Sequence, residues 1–201
     1  MSYIDEGYIK FDCTWEQTTI TVSCSKQLLA TRDYMHQLGL IGFDKTHQVG
    51  YGNISERIDS DQFIISATQT GHILPILPEH FTQITGFNIP QNQVNCQGPA
   101  KASSETMTHA SLYDTLPEVH CIIHVHSKHI WEQLLITEMC TGEKVPYGTP
   151  EMAYEIKRLV KLPSVQKAKI MAMAGHEDGV ISFGATFDEA INTLKKYIPS
   201  N

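Results

Sequence analysis

Apolar positions fall at helical spacing in some stretches of the chain and at strand spacing in most of the others. Leu28, Leu29, Met35 and Leu38 share one side of a helix that opens after Ser25, and Gly39 and Gly42 can end it. Gly50 to Ile58 mixes glycine with β-formers. After the Asp59-Ser-Asp61 turn, Phe63 to Ser66 is a short buried strand, so the two segments predict a hairpin. Thr68 to Gly71 is a polar loop, Pro75 and Pro78 keep the next stretch out of helix, and Phe87 to Cys96 has room for two more strands. Residues 1–24 show no clear period and are expected to form a loose lead-in, with only Thr18 to Val22 β-branched enough for an edge strand.

The middle of the chain reads helix, turn, strand. A helix beginning near Ser103 and Ser104 runs to Leu116, Pro117 breaks it, and Val119 to Val125 is an apolar, β-branched run. Ser127 caps a helix to Ile136, and Pro150 to Val160 is another with proline at its favoured first position. Lys167 to Ala174 is a strand candidate that turns through Gly175 to Gly179 into a partner strand at Val180 to Phe183. Thr186-Phe-Asp-Glu189 is a capping box for a last helix to Tyr197. Strands and helices in these numbers point to a layered α/β or α+β fold, in one domain spanning residues 1–201.

Charge narrows the partners. The formal net charge is −7 and no basic cluster exceeds a pair such as Lys195-Lys196, so neither nucleic acid nor an anionic membrane is expected; a small molecule is. The first residues lack a basic n-region and an apolar h-region, and no apolar run approaches membrane-spanning length, which predicts a cytoplasmic protein. Five scattered cysteines without a C-x-x-C pair fit reduced thiols, most of them buried.

Chemistry concentrates around the central helix and strand. On a strand His124 and His126 face the same side about 7 Å apart, close enough for two imidazoles to converge on one ion. A half-buried structural pair explains them equally well until their company is counted. His176 stands in the glycine-rich bend and Glu105 on the preceding helix. Three imidazoles with an open position are the donor set of a catalytic zinc, beside which Glu105 can act as general acid and base. His120 is the rival ligand, four residues before His124 and too far along the strand; His36 and His47 read as structural or surface, and His109 as core or support. Asn53, Thr70, Gly71, Ser103 and Ser104 could make a neutral phosphate cradle, although each alone reads as an ordinary turn residue.

Gly52-Asn-Ile-Ser55, Thr70-Gly71, Ser103-Ser-Glu105, His124-Val-His126-Ser127 and Gly175-His176 follow the order and spacing of the class II aldolase/adducin-head family, which the chain resembles over residues 25 to 195. The resemblance implies a three-layer α/β/α sandwich with a mixed, mainly antiparallel sheet, and a homotetramer with active sites between subunits. It implies zinc at His124, His126 and His176, phosphate at Asn53, Thr70, Gly71, Ser103 and Ser104, and proton transfer by Glu105. The expected activity is that of a metal-dependent aldolase-type lyase acting on a sugar or sugar phosphate. A sugar-phosphate 4-epimerase, a dehydratase and a non-catalytic adducin-like interaction module are the family's other outcomes. The glutamate at 105 resembles the fuculose-phosphate aldolase rather than the epimerase, and the adducin head lacks the three histidines kept here.

Overall fold

The computed structural model describes residues 7–19 and 22–198. In chain order the elements are β1 (Asp12–Gln17), α1 (Lys26–Gln37), β2 (Gly42–Asp44), β3 (Val49–Tyr51), β4 (Asn53–Asp59) and β5 (Gln62–Ser66). After a 3-10 turn at Pro78–His80 come β6 (Phe81–Asn88), β7 (Gln93–Gly98), α2 (Thr106–Thr115), β8 (Cys121–His126) and α3 (Lys128–Leu135). The chain continues through α4 (Pro150–Leu159), α5 (Pro163–Ala168), β9 (Ile170–Ala172), β10 (Gly179–Gly184) and α6 (Phe187–Lys195).

Eight strands form one sheet in the order β1-β7-β6-β5-β4-β8-β10-β9, antiparallel throughout except for the parallel β1–β7 edge; β2 and β3 make a separate two-stranded ribbon. Alternation along the strands sorts the core onto two faces. Phe63, Ile65, Ile122 and Ile181 pack with Met107, Leu112, Met152 and Ile156 from α2 and α4. Ile54, Ile64, Ile123 and Val180 pack on the other face with Leu28 and Met35 of α1, Ile130 of α3 and Leu194 of α6. The result is the expected three-layer α/β/α sandwich with a mainly antiparallel sheet.

Most elements follow their local signals. Ser25 caps α1 by accepting from the Leu28 N–H at 3.0 Å, and Ser127 and Thr149 do the same for α3 and α4. Thr186 caps α6 by accepting from the Glu189 N–H, while Glu189 reaches back to the Ala185 N–H at 2.9 Å, one residue before the cap. Gly52, at φ +72°, separates β3 from β4 where one continuous strand is predicted; its conformation suits glycine and turns the chain into the sheet.

Other expectations are corrected. Within the predicted lead-in, Asp12–Gln17 is a strand: Cys13 and Trp15 face the core while Asp12, Thr14 and Glu16 are exposed, and the partner β7 lies some eighty residues on. The Thr18 to Val22 segment has no strand among its described residues; Ile20 and Thr21 lie outside them. Lys167 and Ala168 belong to α5, which Pro163 opens and the left-handed Lys169 closes, so the strand begins only at Ile170. All five cysteines are free, but only Cys96 and Cys121 are buried. No helix among the described residues is long and apolar enough to cross a membrane.

Helix α2 is the unusual element. Every residue from Thr106 to Tyr113 is buried, so it has no solvent stripe and its polar side chains must bond internally. Thr106 and Ser111 donate to carbonyls one turn back, His109 Nδ1 meets Ser55 Oγ at 2.7 Å, and the Tyr113 hydroxyl lies 2.8 Å from the same oxygen. Burial pushes the His109 pKa down to about 3. Because this folded value lies below the ordinary 6.5, the unfolded chain takes up the proton first, and stability is lost as pH falls below about 6.5. One such histidine should cost about 2 kcal/mol between pH 7 and pH 5. Urea unfolding across that range should therefore show stability falling, with a shallower pH slope in His109→Asn; equal slopes would contradict a buried neutral imidazole.

Candidate metal and anion site

Strand β8 supports the site. His124 and His126 alternate with Ile123 and Val125, so both imidazoles leave the face that carries Ile122. On one flank β4 places Asn53 opposite His124; on the other, β10 places Gly179 opposite His126. That register sets the bend between β9 and β10 just past the end of β8, with His176 over it. The bend is closed by the His176 N–H on the Met173 carbonyl and the Gly179 N–H on the His176 carbonyl, both at 3.0 Å. The end of β8 is held in turn by the Ser127 N–H on Asp178 O and the His126 N–H on Leu40 O, each at 2.9 Å.

The three imidazoles converge. Each offers a ring nitrogen, and these atoms all lie within 4.8 Å of one another. His126 Nε2 and His176 Nε2 are 2.9 Å apart, too close for both to carry protons. His124 is 1% exposed; burial, then the neighbouring imidazoles, push its pKa well below the ordinary histidine value and keep it neutral, as a metal ligand must be. Its Nε2 is buried with no hydrogen-bond partner, an orphan that an ion would satisfy. The donor set therefore fits a zinc-like ion held by nitrogen.

The atoms behind the ligands fit as well. The Asn53 amide stands 3.3 Å from His124 Nδ1, and Asn53 Oδ1 is buried without a partner. With Nε2 on a metal, Nδ1 carries the proton, and the amide satisfies both groups when Oδ1 faces that N–H. The NH2 end then points to where the orphan oxygen lay. Glu105, 2% exposed, places Oε1 3.2 Å from His176 Nδ1, while Oε2 accepts from the Thr108 hydroxyl at 2.8 Å. It lies just before α2, whose first residue is Thr106 rather than the predicted Ser103; Ser103 and Ser104 form the preceding turn.

Asn53, Thr70, Gly71, Ser103, Ser104, Glu105, His124 and His176 all line one recess. Thr70 spends its hydroxyl on the Ala67 carbonyl at 2.8 Å, so only its backbone N–H remains for an anion. Ser103 Oγ accepts from the Glu105 N–H at 3.3 Å and keeps its proton to donate. Gly71 packs so closely on the ribbon that an added Cβ would stand 2.0 Å from the Gly42 carbonyl oxygen; no side chain fits there.

The other histidines go elsewhere. His120 is exposed before β8 begins, and its carbonyl accepts from the Arg57 N–H at 2.8 Å. His47 pairs with Asp44 and His129 with Gln133 on the surface. Two aromatic neighbours escaped the sequence reading: Tyr51 lies against His126 with ring centres 5.3 Å apart, and Tyr147 against His176 at 4.7 Å. Tyr51 is adjacent to the Gly52-Asn53 motif, which is its only signal; Tyr147 sits in a loop with none.

The fold and this constellation define a class of protein. Residues 33–197 match the family described as Class II Aldolase and Adducin N-terminal domain, and the chain belongs to it. A 3-oxo-tetronate 4-phosphate decarboxylase of Haemophilus influenzae is 25% identical over 136 residues, 67% of this chain. The match spans 61% of that relative's length. Among solved structures, an L-fuculose 1-phosphate aldolase superposes with a TM-score of 0.61 at 16% identity, covering 88% of this chain and 84% of the other. A sugar-phosphate aldolase from Thermotoga maritima gives 0.59 at 16%, covering 84% and 88%. YgbL from Klebsiella pneumoniae, an aldolase/epimerase/decarboxylase candidate, gives 0.58 at 15%, covering 85% and 83%. At these identities the structural likenesses speak for the fold.

Elemental analysis of the purified protein should find about one zinc per chain, absent from His124→Ala. Asn53→Ala should weaken zinc binding about tenfold or more through the lost partner of His124. Zinc retained at full stoichiometry in His124→Ala would contradict the site.

Proposed function

We propose that the chain is a zinc-dependent lyase of the aldolase type, making or breaking a C–C bond in a small, phosphorylated ketose. The observation that carries this reading is the convergence of three imidazoles, two of which, His124 and His176, line with the Glu105 carboxylate one recess whose other wall is a loop of backbone N–H groups and serines. His124, His126 and His176 would hold the ion, which when bound supplies Lewis acidity toward a carbonyl oxygen and the enediolate left by cleavage.

The remaining work falls to the chain's own groups. Asn53 orients His124 and offers its NH2 to the anion. Thr70, Gly71, Ser103 and Ser104 receive the phosphate, fixing the distance from that group to the reacting carbon. Glu105 gives a proton to that carbon in cleavage and removes it in condensation. Thr108 donates to one of its oxygens and His176 Nδ1 stands 3.2 Å from the other, so the carboxylate enters the reaction already oriented.

A second reading is favoured by the named relative: decarboxylation of a phosphorylated 3-oxo acid. It cleaves a C–C bond beside a carbonyl, leaves the same kind of anion and asks the same protonation of Glu105. Epimerase and dehydratase chemistry also begin there, without an observation that favours them. An adducin-like interaction module would have no use for three converging imidazoles beside a polar recess. A cytoplasmic homotetramer is the assembly and setting that go with the proposal.

Sugar phosphates should be screened for aldehyde release and phosphorylated 3-oxo acids for carbon dioxide release, with zinc restored. Glu105→Gln should lower kcat on whichever substrate responds by about a hundredfold or more while zinc content and fold persist. A folded, zinc-loaded Glu105→Gln enzyme of full activity would contradict the assignment of the base.

A further inference from the structure

Arg32, on the buried side of α1, is only 1% exposed and is not itself among the residues that line the recess. Its guanidinium is spent on one turn of backbone: Nη1 donates to the Ile73 carbonyl at 2.6 Å, and Nη2 to the Thr70 and Gly71 carbonyls at 2.7 and 3.0 Å. Its neighbour Asp33 accepts from the Ile76 N–H at 2.9 Å, so successive residues of α1 hold both ends of the 70–76 loop. The only acidic group beside the guanidinium among the described ion pairs is that same Asp33, with an oxygen 3.8 Å away.

Peptide geometry makes this arrangement directional. In a trans peptide the carbonyl and the following N–H point opposite ways. With the Thr70 and Gly71 carbonyls drawn to Arg32, the N–H groups of Gly71 and His72 point away from it. Neither donates to a backbone carbonyl among the described residues, and Thr70 and Gly71 line the recess. A cation on a carbonyl oxygen polarises the whole peptide unit and strengthens its N–H as a donor.

We propose that Arg32 is a positioning residue for a phosphate group: it aims the Gly71 N–H into the recess and conveys its charge through the Thr70–Gly71 peptide unit to an anion it does not touch. The inference rests on the proposed anion cradle and adds what makes that cradle, neutral in its own side chains, hold a dianion. It also gives the buried guanidinium a counter-charge in addition to Asp33, offsetting part of its desolvation.

The test is calorimetric titration of inorganic phosphate into the full-length protein, as purified and again after chelation, for wild type, Arg32→Gln and Arg32→Lys. Wild type should bind phosphate in both states. Arg32→Gln should bind at least tenfold more weakly at unchanged zinc content, and Arg32→Lys should recover part of the loss. A merely structural arginine would lower the melting temperature but leave the phosphate affinity of the folded variant unchanged, and that result overturns the proposal. Should Arg32→Gln not fold, the lysine variant decides alone: weaker phosphate binding than wild type supports the proposal, equal binding overturns it. Wild type that binds no phosphate, or binds it only while metal is present, would instead remove the cradle reading on which the proposal stands.

Discussion

On the face toward α2, β4 carries the buried Asn53 and Ser55 and the half-buried Arg57 at alternate positions, and a polar group out of water must be bonded or it destabilises the fold by about 1–3 kcal/mol. Each finds its partner in the layer that holds the site. Asn53 meets His124, Ser55 meets His109 and Tyr113, and Arg57 donates to the Val119, Tyr113 and Leu116 carbonyls at 2.7, 2.7 and 3.0 Å. The last two lie at the end of α2; the Tyr113 carbonyl has no helical N–H to accept from, since Pro117 stands four residues on, and the Leu116 carbonyl also accepts from the Val119 N–H at 3.1 Å. One strand thus fixes α2 along its length, and α2 sets the position of Glu105 at its other end. Removing any rung leaves buried partners unpaired, so the ladder is a constraint on the fold and on the site at once.

The recess joins two kinds of recognition. The metal half proposed for it draws two histidines from β8, where imidazole directions are set by sheet register, and one from the bend between β9 and β10. Its anion half is made of backbone, where direction is set by turns, and the turns are held by side chains from outside the recess. Asn53 belongs to both halves, one end of its amide on His124 and the other toward the cradle. Tyr51 packs tilted against His126 and Tyr147 edge-on against His176, so aromatic rings flank two of the three imidazoles.

Much of this was legible in the sequence because it rests on local rules. Serine and threonine caps, prolines at first helical positions and the period-two alternation of His124 and His126 each act within a few residues. The His-x-His pair, Glu105 and the Gly-His bend could be named as a group through the family pattern, and the structure does bring them together. What escaped depends on contacts distant in sequence. The alternation Phe11, Cys13, Trp15 is too short to announce a strand until β7 is beside it. The helical end at Lys167 and Ala168 turns on a left-handed Lys169, a conformation no propensity predicts for lysine. Arg32 is a charged residue within a helical stretch, and nothing local to it shows that the 70–73 turn lies over it.

The central claim is that three imidazoles from β8 and the β9–β10 bend make an open metal position. X-ray absorption at the zinc edge of the loaded protein tests it most directly. The predicted spectrum has three nitrogen neighbours at about 2.0–2.1 Å and a lighter-atom position that changes when an enediolate mimic such as a hydroxamate is added. A zinc held by four protein ligands that ignores the hydroxamate, or a spectrum containing sulfur, would contradict it.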